Sequence, residues 1–530
     1  MTRFPSLLCS AAILSFISAA AVAPQAYGQL GTVNFPTSCS VEAQPLITTG
    51  VAFLHSFQYM QANETFADAA KKDPKCAMAH WGQALAVYHQ LWDFPQPDTI
   101  AEGRKHIEEA QKIGAPTDRE RAYIAAATAF FQDNSKLTHL ERVQAYSSAM
   151  AKLHEQFPTD VEGAAFYALS LVSLAYEDEP NDLAHRKAAI AILQPLLQTN
   201  PDHPGVAHYM IHATDTPELA PLGLEAARRY AKIAPDSSHA IHMPSHIFVR
   251  LGLWQESIAS NIAATASGRR AAEKHEAEYH YQTHAMDFLN YSYLQAGEEA
   301  KARQVIADVQ NVVGASDEDK AGYSAGFSAR TAIELHRWKE AASVPVPSGV
   351  PLRWLDDVYW ARVIGAARSG DSAGARADVE KLKEAVADLE KYQKEQGYTV
   401  SPEKATDLRE AEAWLIFSEG KQEQALTELR AAAAREDKDG IGSLTVPARE
   451  MLADMLLELK KPSEALAEYK IALKNSPNRF DSLYGAAQAA RAANDAKTAH
   501  EFEAKLVEIC GPGADRPELA EARSLLAKGE

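Results

Sequence analysis

Apolar residues recur at i, i+3, i+4 and i+7 through Ala-, Leu- and Glu-rich segments from about residue 42 to the end of the chain. That spacing lines one face of an α-helix. Runs that alternate apolar and polar, as half-buried strands require, are scarce. Short breaks at Gly, Pro, Asp or Asn cut the pattern into helix-length pieces. In the middle of the chain it predicts helices at about 204–214, 218–233, 239–251, 254–267, 276–296 and 298–312, punctuated by Pro217, Pro235, Gly252, Gly268 and Gly297. The expected fold class is all-α. Pro244 falls inside the 239–251 segment, and a ring without an N–H is expected to kink that element.

Helices separated by short breaks invite a search for a fixed period. Near the C-terminus, "VPAREMLADMLLELKKPSEALAEYKIALKNSPNR" carries Ala453, Leu456, Ala465, Tyr469, Ala472 and Pro477, and a shift of 34 residues lands on Ala487 and Ala499. Near the N-terminus the same offsets give Gly50, Phe53, Ala62, Phe66, Ala69 and Pro74. Small residues at these offsets suit two helices that cross closely, and the proline suits the end of the second. This pattern resembles the tetratricopeptide repeat (TPR). The resemblance implies a right-handed TPR-type superhelical solenoid of helical hairpins, with the first helix of each hairpin lining a concave groove. The Pro-rich "VPVPSGVP" and the polar "REDKDGIGSLTVP" read as linkers or long inter-repeat loops. They are expected to separate an N-terminal array at 29–343, degenerate helical repeats at 352–434 and C-terminal repeats at 446–530, after a signal peptide at 1–28.

A narrower resemblance rests on "FPTSCS", "LHSF", "CAMAHWGQAL", "HPGVAHYMIHATD", "LAPLGLEAARRYAKIAP", "HAIHMPSHIFVRLGLW" and "SPNRFDSLYGAA". Together they are similar to a group of exported bacterial TPR proteins across nearly the whole mature chain. The resemblance implies fold and compartment and supplies no catalytic residues. His80 stands where that group is expected to carry an aromatic, so it receives no functional weight.

The candidate chemistry is in the histidines. Nine of the 18 fall between His203 and His284, where an even spread would give roughly three. "HPGVAHYMIHATD" places His208, His212 and Asp215 in an H-x-x-x-H-x-x-D spacing, and "YHYQTHAMDFLNY" repeats it with His280, His284 and Asp287. Positions i, i+4 and i+7 fall within an arc of about 60° on a helix, so each triplet forms one stripe. A triplet rises about 10 Å from end to end, too far for all three members to ligate one ion, whereas an i, i+4 histidine pair can. Completing a site needs a neighbouring helix, and His242 and His246 on the 239–251 segment supply another pair. Imidazoles converging from packed helices suit a transition metal: zinc, copper, iron or nickel. Asp215 and Asp287 would then be ligands, or acceptors that orient a ring. His239, Arg250 and Tyr291 are read as lining the ligand groove. The competing reading is structural: histidines in a helical array also pack as small aromatic groups bonded to a carboxylate or carbonyl. His55 in "LHSFQY" and the aromatics of "WLDDVYW" at 354–360 are expected to pack in this way.

Length and charge narrow the function. At 530 residues the chain exceeds one ordinary domain. A net charge of -18 and the lack of any basic run argue against nucleic acid as a partner, since phosphate neutralisation needs clustered Lys and Arg. Arg3 followed by an apolar stretch from Leu7 to Val22 reads as a secretory signal, and no later run is long enough for a transmembrane segment. The chain is thus expected to be exported, periplasmic or secreted. Export permits a disulfide, and Cys39 with Cys76 is the expected pair, leaving Cys510 free. No P-loop, dinucleotide fingerprint or serine elbow is present. The expected function is a binding module that takes a protein, peptide or small molecule in its concave groove, with a His-lined metal site. The alternatives are a metal-dependent enzyme built on the same histidines and an assembly scaffold.

Overall fold

The structure, a computed structural model, describes residues 29–528 apart from 92–93, 133–135, 179–180, 276–277, 398–402 and 443. The expected signal peptide lies outside the described residues. The described chain is all-α and runs as successive antiparallel hairpins. α1 (Gln44–His55) pairs with α2 (Tyr59–Lys72), α3 (Ala77–Ala86) with α4 (Pro97–Ile113), α5 (Asp118–Phe131) with α6 (His139–Gln156), and α7 (Val161–Glu177) with α8 (Asp182–Thr199). α9 (Pro204–Thr214) pairs with α10 (Ala220–Ile233), while α11 (Ser238–His242) and α12 (Pro244–Arg250) together pack on α13 (Trp254–Glu273). α14 (His280–Gln295) follows with α15 (Glu299–Asp308), and α16 (Asp317–Glu334) with the short α17 (Trp338–Ala342). The last hairpins are α18 (Asp356–Arg368) with α19 (Ser372–Gln396), α20 (Glu403–Ser418) with α21 (Gln422–Asp439), α22 (Ala448–Glu458) with α23 (Pro462–Asn475), and α24 (Phe480–Ala492) with α25 (Ala496–Ile509). α26 (Pro517–Lys528) packs on α25. This is the TPR-type hairpin solenoid that the 34-residue offsets predict.

Close helix crossings depend on residues without bulk. A Cβ on Gly50 of α1 would come within 2.6 Å of the Phe66 ring, and one on Gly82 of α3 within 2.3 Å of the same ring. Phe66 of α2 is thus wedged between two glycines, which is the physical content of the Gly50–Phe66 offset. At the other end Gly485 meets the Tyr469 ring in the same way, and Ala453, Ala465, Ala487 and Ala499 are all buried at helix crossings. Capping boxes start α5 (Thr117 with Glu120), α6 (Thr138 with Glu141) and α16 (Ser316 with Asp319), satisfying amides that have no partner inside the helix.

Three features depart from simple hairpins. Pro244 divides the expected 239–251 helix in two at Met243, which places His239 and His242 on α11 and His246 on α12. An extended arm at residues 29–41 crosses the first hairpins. Its Cys39 is disulfide-bonded to Cys76, its Asn34 amide donates to Glu162, and its Thr32 amide donates to the Asp202 carbonyl just before α9. Cys510 is a free, half-buried thiol. Finally, the C-terminal repeats touch the middle of the chain. Arg479 is 1% exposed and pairs with Glu334 and Glu450 while donating to the Tyr291 hydroxyl. Gly252, at φ +64°, lies so close to the Pro477 carbonyl that a Cβ would stand 2.2 Å away, a backbone approach that only glycine permits.

One aromatic expectation is corrected. Trp354 of "WLDDVYW" is 52% exposed, because it sits on a 3-10 turn (Leu352–Trp354) before α18 begins and escapes the helical periodicity that buries Tyr359.

Candidate metal centre

His203 caps the N-terminus of α9, its Nδ1 accepting the Val206 amide, and Pro204 opens the helix with the fixed φ that suits a first position. From that start every residue of α9 is buried, so His208 and His212 point into the molecule. The α1–α2 loop covers them, with Phe57 at positive φ and its ring 4.4 Å from that of His208. Beneath this loop the His208 Nδ1 lies 2.7 Å from the His55 carbonyl. A carbonyl only accepts, so Nδ1 carries the proton and the Nε2 lone pair of the neutral ring faces inward. The Nε2 atoms of His239 and His212 stand 3.0 and 3.1 Å from it. One lone pair cannot accept a proton from both along its axis.

The second trio is more constrained. Asn261 Nδ2 donates to the Ser257 carbonyl, which fixes the amide and leaves Oδ1 to accept from His242 Nδ1 at 2.7 Å. His246 Nδ1 faces the Asp215 carboxylate at 2.9 Å. Asp215 is itself held by Arg250 at 2.9 Å; burial alone would raise its pKa, but Arg250 and His246 hold it well below the usual carboxylate range. Both imidazoles therefore commit Nδ1 as donor, and their Nε2 atoms meet at 3.1 Å. Two lone pairs that close repel unless a cation, either a proton or a metal ion, lies between them. His284 from α14 completes the group, its ring centroid 4.5 Å from that of His242.

In both trios one ring nitrogen per histidine lies within 4.8 Å of the others. Burial, and then the neighbouring histidines, push His212, His239 and His242 well below the ordinary imidazole pKa. Burial holds His208 down to about 3. His284 is exposed on the cavity wall, yet desolvation by the surrounding fold, with His246 and His280 beside it, holds it at about 3 as well. These rings are neutral at ordinary pH, the form that ligates metal.

A third buried group is His55, Glu162 and His203. His55 Nε2 lies 2.6 Å from Glu162 and its Nδ1 2.8 Å from the Tyr209 hydroxyl, while His203 Nε2 is 3.2 Å from the same carboxylate oxygen. Burial would raise the Glu162 pKa, but the two histidines hold it well below the usual carboxylate value. Sequence reasoning took His55 as packing and did not single out His203 or Glu162. No periodic spacing links residues 55, 162 and 203, although Pro204 directly after His203 is a helix-start signal.

The other expected site residues are placed as follows. His212, His239, His242, His246, His280, His284 and Asp287 all line one cavity of about 680 Å³. His280 lies beside Glu278, 3.1 Å away, and belongs to neither trio; His239, read from sequence as a groove residue, lines the cavity and also stands in the first trio. Asp215 orients His246. Asp287 pairs with Arg330. Arg250 bonds to Asp215 and to the Ile441 carbonyl, and Tyr291 is buried against Arg479; neither lines the cavity.

The chain is similar over 87% of its length to 89% of the human IFIT1 dimer with PPP-AAAA, at 12% identity and a TM-score of 0.35. It is similar over 86% of its length to 99% of the P58(IPK) TPR domain, at 12% identity and a TM-score of 0.23. No family model and no curated protein sequence matches it.

Proposed function

We propose that this chain is an exported TPR-type binding module that holds a transition metal at its histidine trios and presents it to a small molecule or peptide entering the cavity. One observation carries the reading: His242 and His246 both commit their Nδ1 protons to fixed acceptors and face each other through Nε2 at 3.1 Å. A metal ion turns that repulsion into two bonds. Uncharged imidazole ligands suit zinc, copper, iron or nickel. Export is supported by the apolar segment from Leu7 to Val22 and by the Cys39–Cys76 disulfide, a bond that persists in oxidising compartments. Among the described residues no helix is long and apolar enough to cross a membrane.

A metal-dependent enzyme is the second reading. It is favoured by the cavity beside the trios, because three protein ligands leave a zinc-like ion a coordination position for water or substrate. Elemental analysis of protein purified without a His tag tests the common core of both readings. Bound metal is expected in the parent chain. A His208→Ala, His212→Ala double variant is expected to keep its helical circular dichroism and lose the metal held by its own trio. Protein that stays metal-free after incubation with each of the four metals would overturn the proposal.

A further inference from the structure

Resting on that reading, we infer that the two trios hold two ions side by side, forming a dinuclear centre whose bridging position takes a small anion from the cavity. His239 and His242 are three residues apart on α11 and belong one to each trio. Cβ atoms at that spacing are about 5–6 Å apart, so the short helix joins the two ligand sets directly. Both sets open on the same cavity, through His212 and His239 on one side and His242, His246 and His284 on the other.

Charge then requires an anion. Histidine ligates a metal through the uncharged imidazole, so six such ligands leave the four positive charges of two divalent ions uncompensated in a largely enclosed site, and buried charge is costly unless it is paired. The neighbouring carboxylates are already engaged. Asp215 is held by Arg250 and His246, Asp287 by Arg330, and Glu162 by His55 and His203. Glu278 and Asp236 line the same cavity but are exposed. Compensation therefore comes from solvent through the cavity: hydroxide at rest, or a small anion that replaces it. The His55–Glu162–His203 group takes no third ion. Its carboxylate supplies the charge its imidazoles need, one Glu162 oxygen accepts the Asn34 amide, and His203 Nδ1 is spent on the Val206 amide.

The test loads the metal-free full chain with copper(II) and then adds azide. Two coppers per chain are expected, with an electron paramagnetic resonance spectrum broadened by the neighbouring ion and carrying a half-field line. One azide per two coppers should then produce a new charge-transfer band. His284→Ala, which alters a ring facing the cavity, should bind one copper and give a sharp mononuclear spectrum. One copper per chain in the parent overturns the dinuclear centre and leaves the metal-binding reading standing. Two coppers with the spectrum of isolated ions, or no response to azide, also overturn it. If no copper binds, the dinuclear centre fails, and the metal-binding reading fails with it only if zinc, iron and nickel are refused as well.

Discussion

His208 is neutral because its ring is buried, which holds its pKa at about 3 against an ordinary 6.5 even though the hydrogen bond to the His55 carbonyl pulls the other way. Between those values the unfolded chain binds a proton that the folded chain refuses. The unfolded state therefore gains stability as pH falls, and folding weakens from about pH 6.5 down to about pH 3. Each such histidine contributes a slope of up to about 1.4 kcal/mol per pH unit within its window, and His212, His239 and His242 are shifted in the same direction. Metal-free protein is expected to lose stability steeply below pH 6.5, whereas His208→Phe should flatten that slope. Urea midpoints measured from pH 7 to pH 4 on both chains check this; parallel curves would mean that His208 is not held neutral. The histidine clustering was legible in sequence. Which nitrogen carries the proton was not, because the His55 carbonyl and the Asn261 amide that decide it are distant in sequence or not periodic with the ligands.

At the scale of elements, the hairpin offsets translate directly into packing. Ala465 is fully buried at the crossing of α22 and α23, as Ala499 is one repeat later. Ala465→Leu is expected to overpack the hairpin and cost about 1–3 kcal/mol, read as a drop in the denaturation midpoint; an unchanged midpoint would count against the repeat register. Sequence periodicity sees such positions because each hairpin contacts its neighbours in order. It sees less where an element departs from the period. Pro244 was read as a kink, but the outcome is two short helices; His239 and His242 share α11, and His242 still meets His246 of α12 across the break. The division between the trios falls within α11, between His239 and His242, and not at the proline.

Across the whole molecule the notable contact is the return of the C-terminal repeats onto the middle of the chain. Arg479 neutralises two buried carboxylates, Glu334 from α16 and Glu450 from α22. Arg479→Ala would leave both without their cation, a change expected to cost about 3–5 kcal/mol. Adding Glu334→Gln and Glu450→Gln should recover part of that loss. Chemical denaturation of the three chains is the measurement, and a single variant as stable as the parent would show that the pair does not hold the return. Nothing in a 34-residue period announces this contact, since residues 145 positions apart are joined.

The sequence by itself determined what depends on neighbours along the chain: helices, from apolar spacing; hairpins, from small residues at fixed offsets; a cysteine pair, from the arm before α1; and histidine stripes, from i, i+4 spacing. Only the tertiary structure decided what depends on how far the solenoid curls. The α1–α2 loop comes to lie over α9, α11 supplies a histidine to each trio, and Glu162 reaches two histidines from separate helices. These juxtapositions arise from small rotations accumulated over several hairpins, a sum that no local pattern in the sequence records.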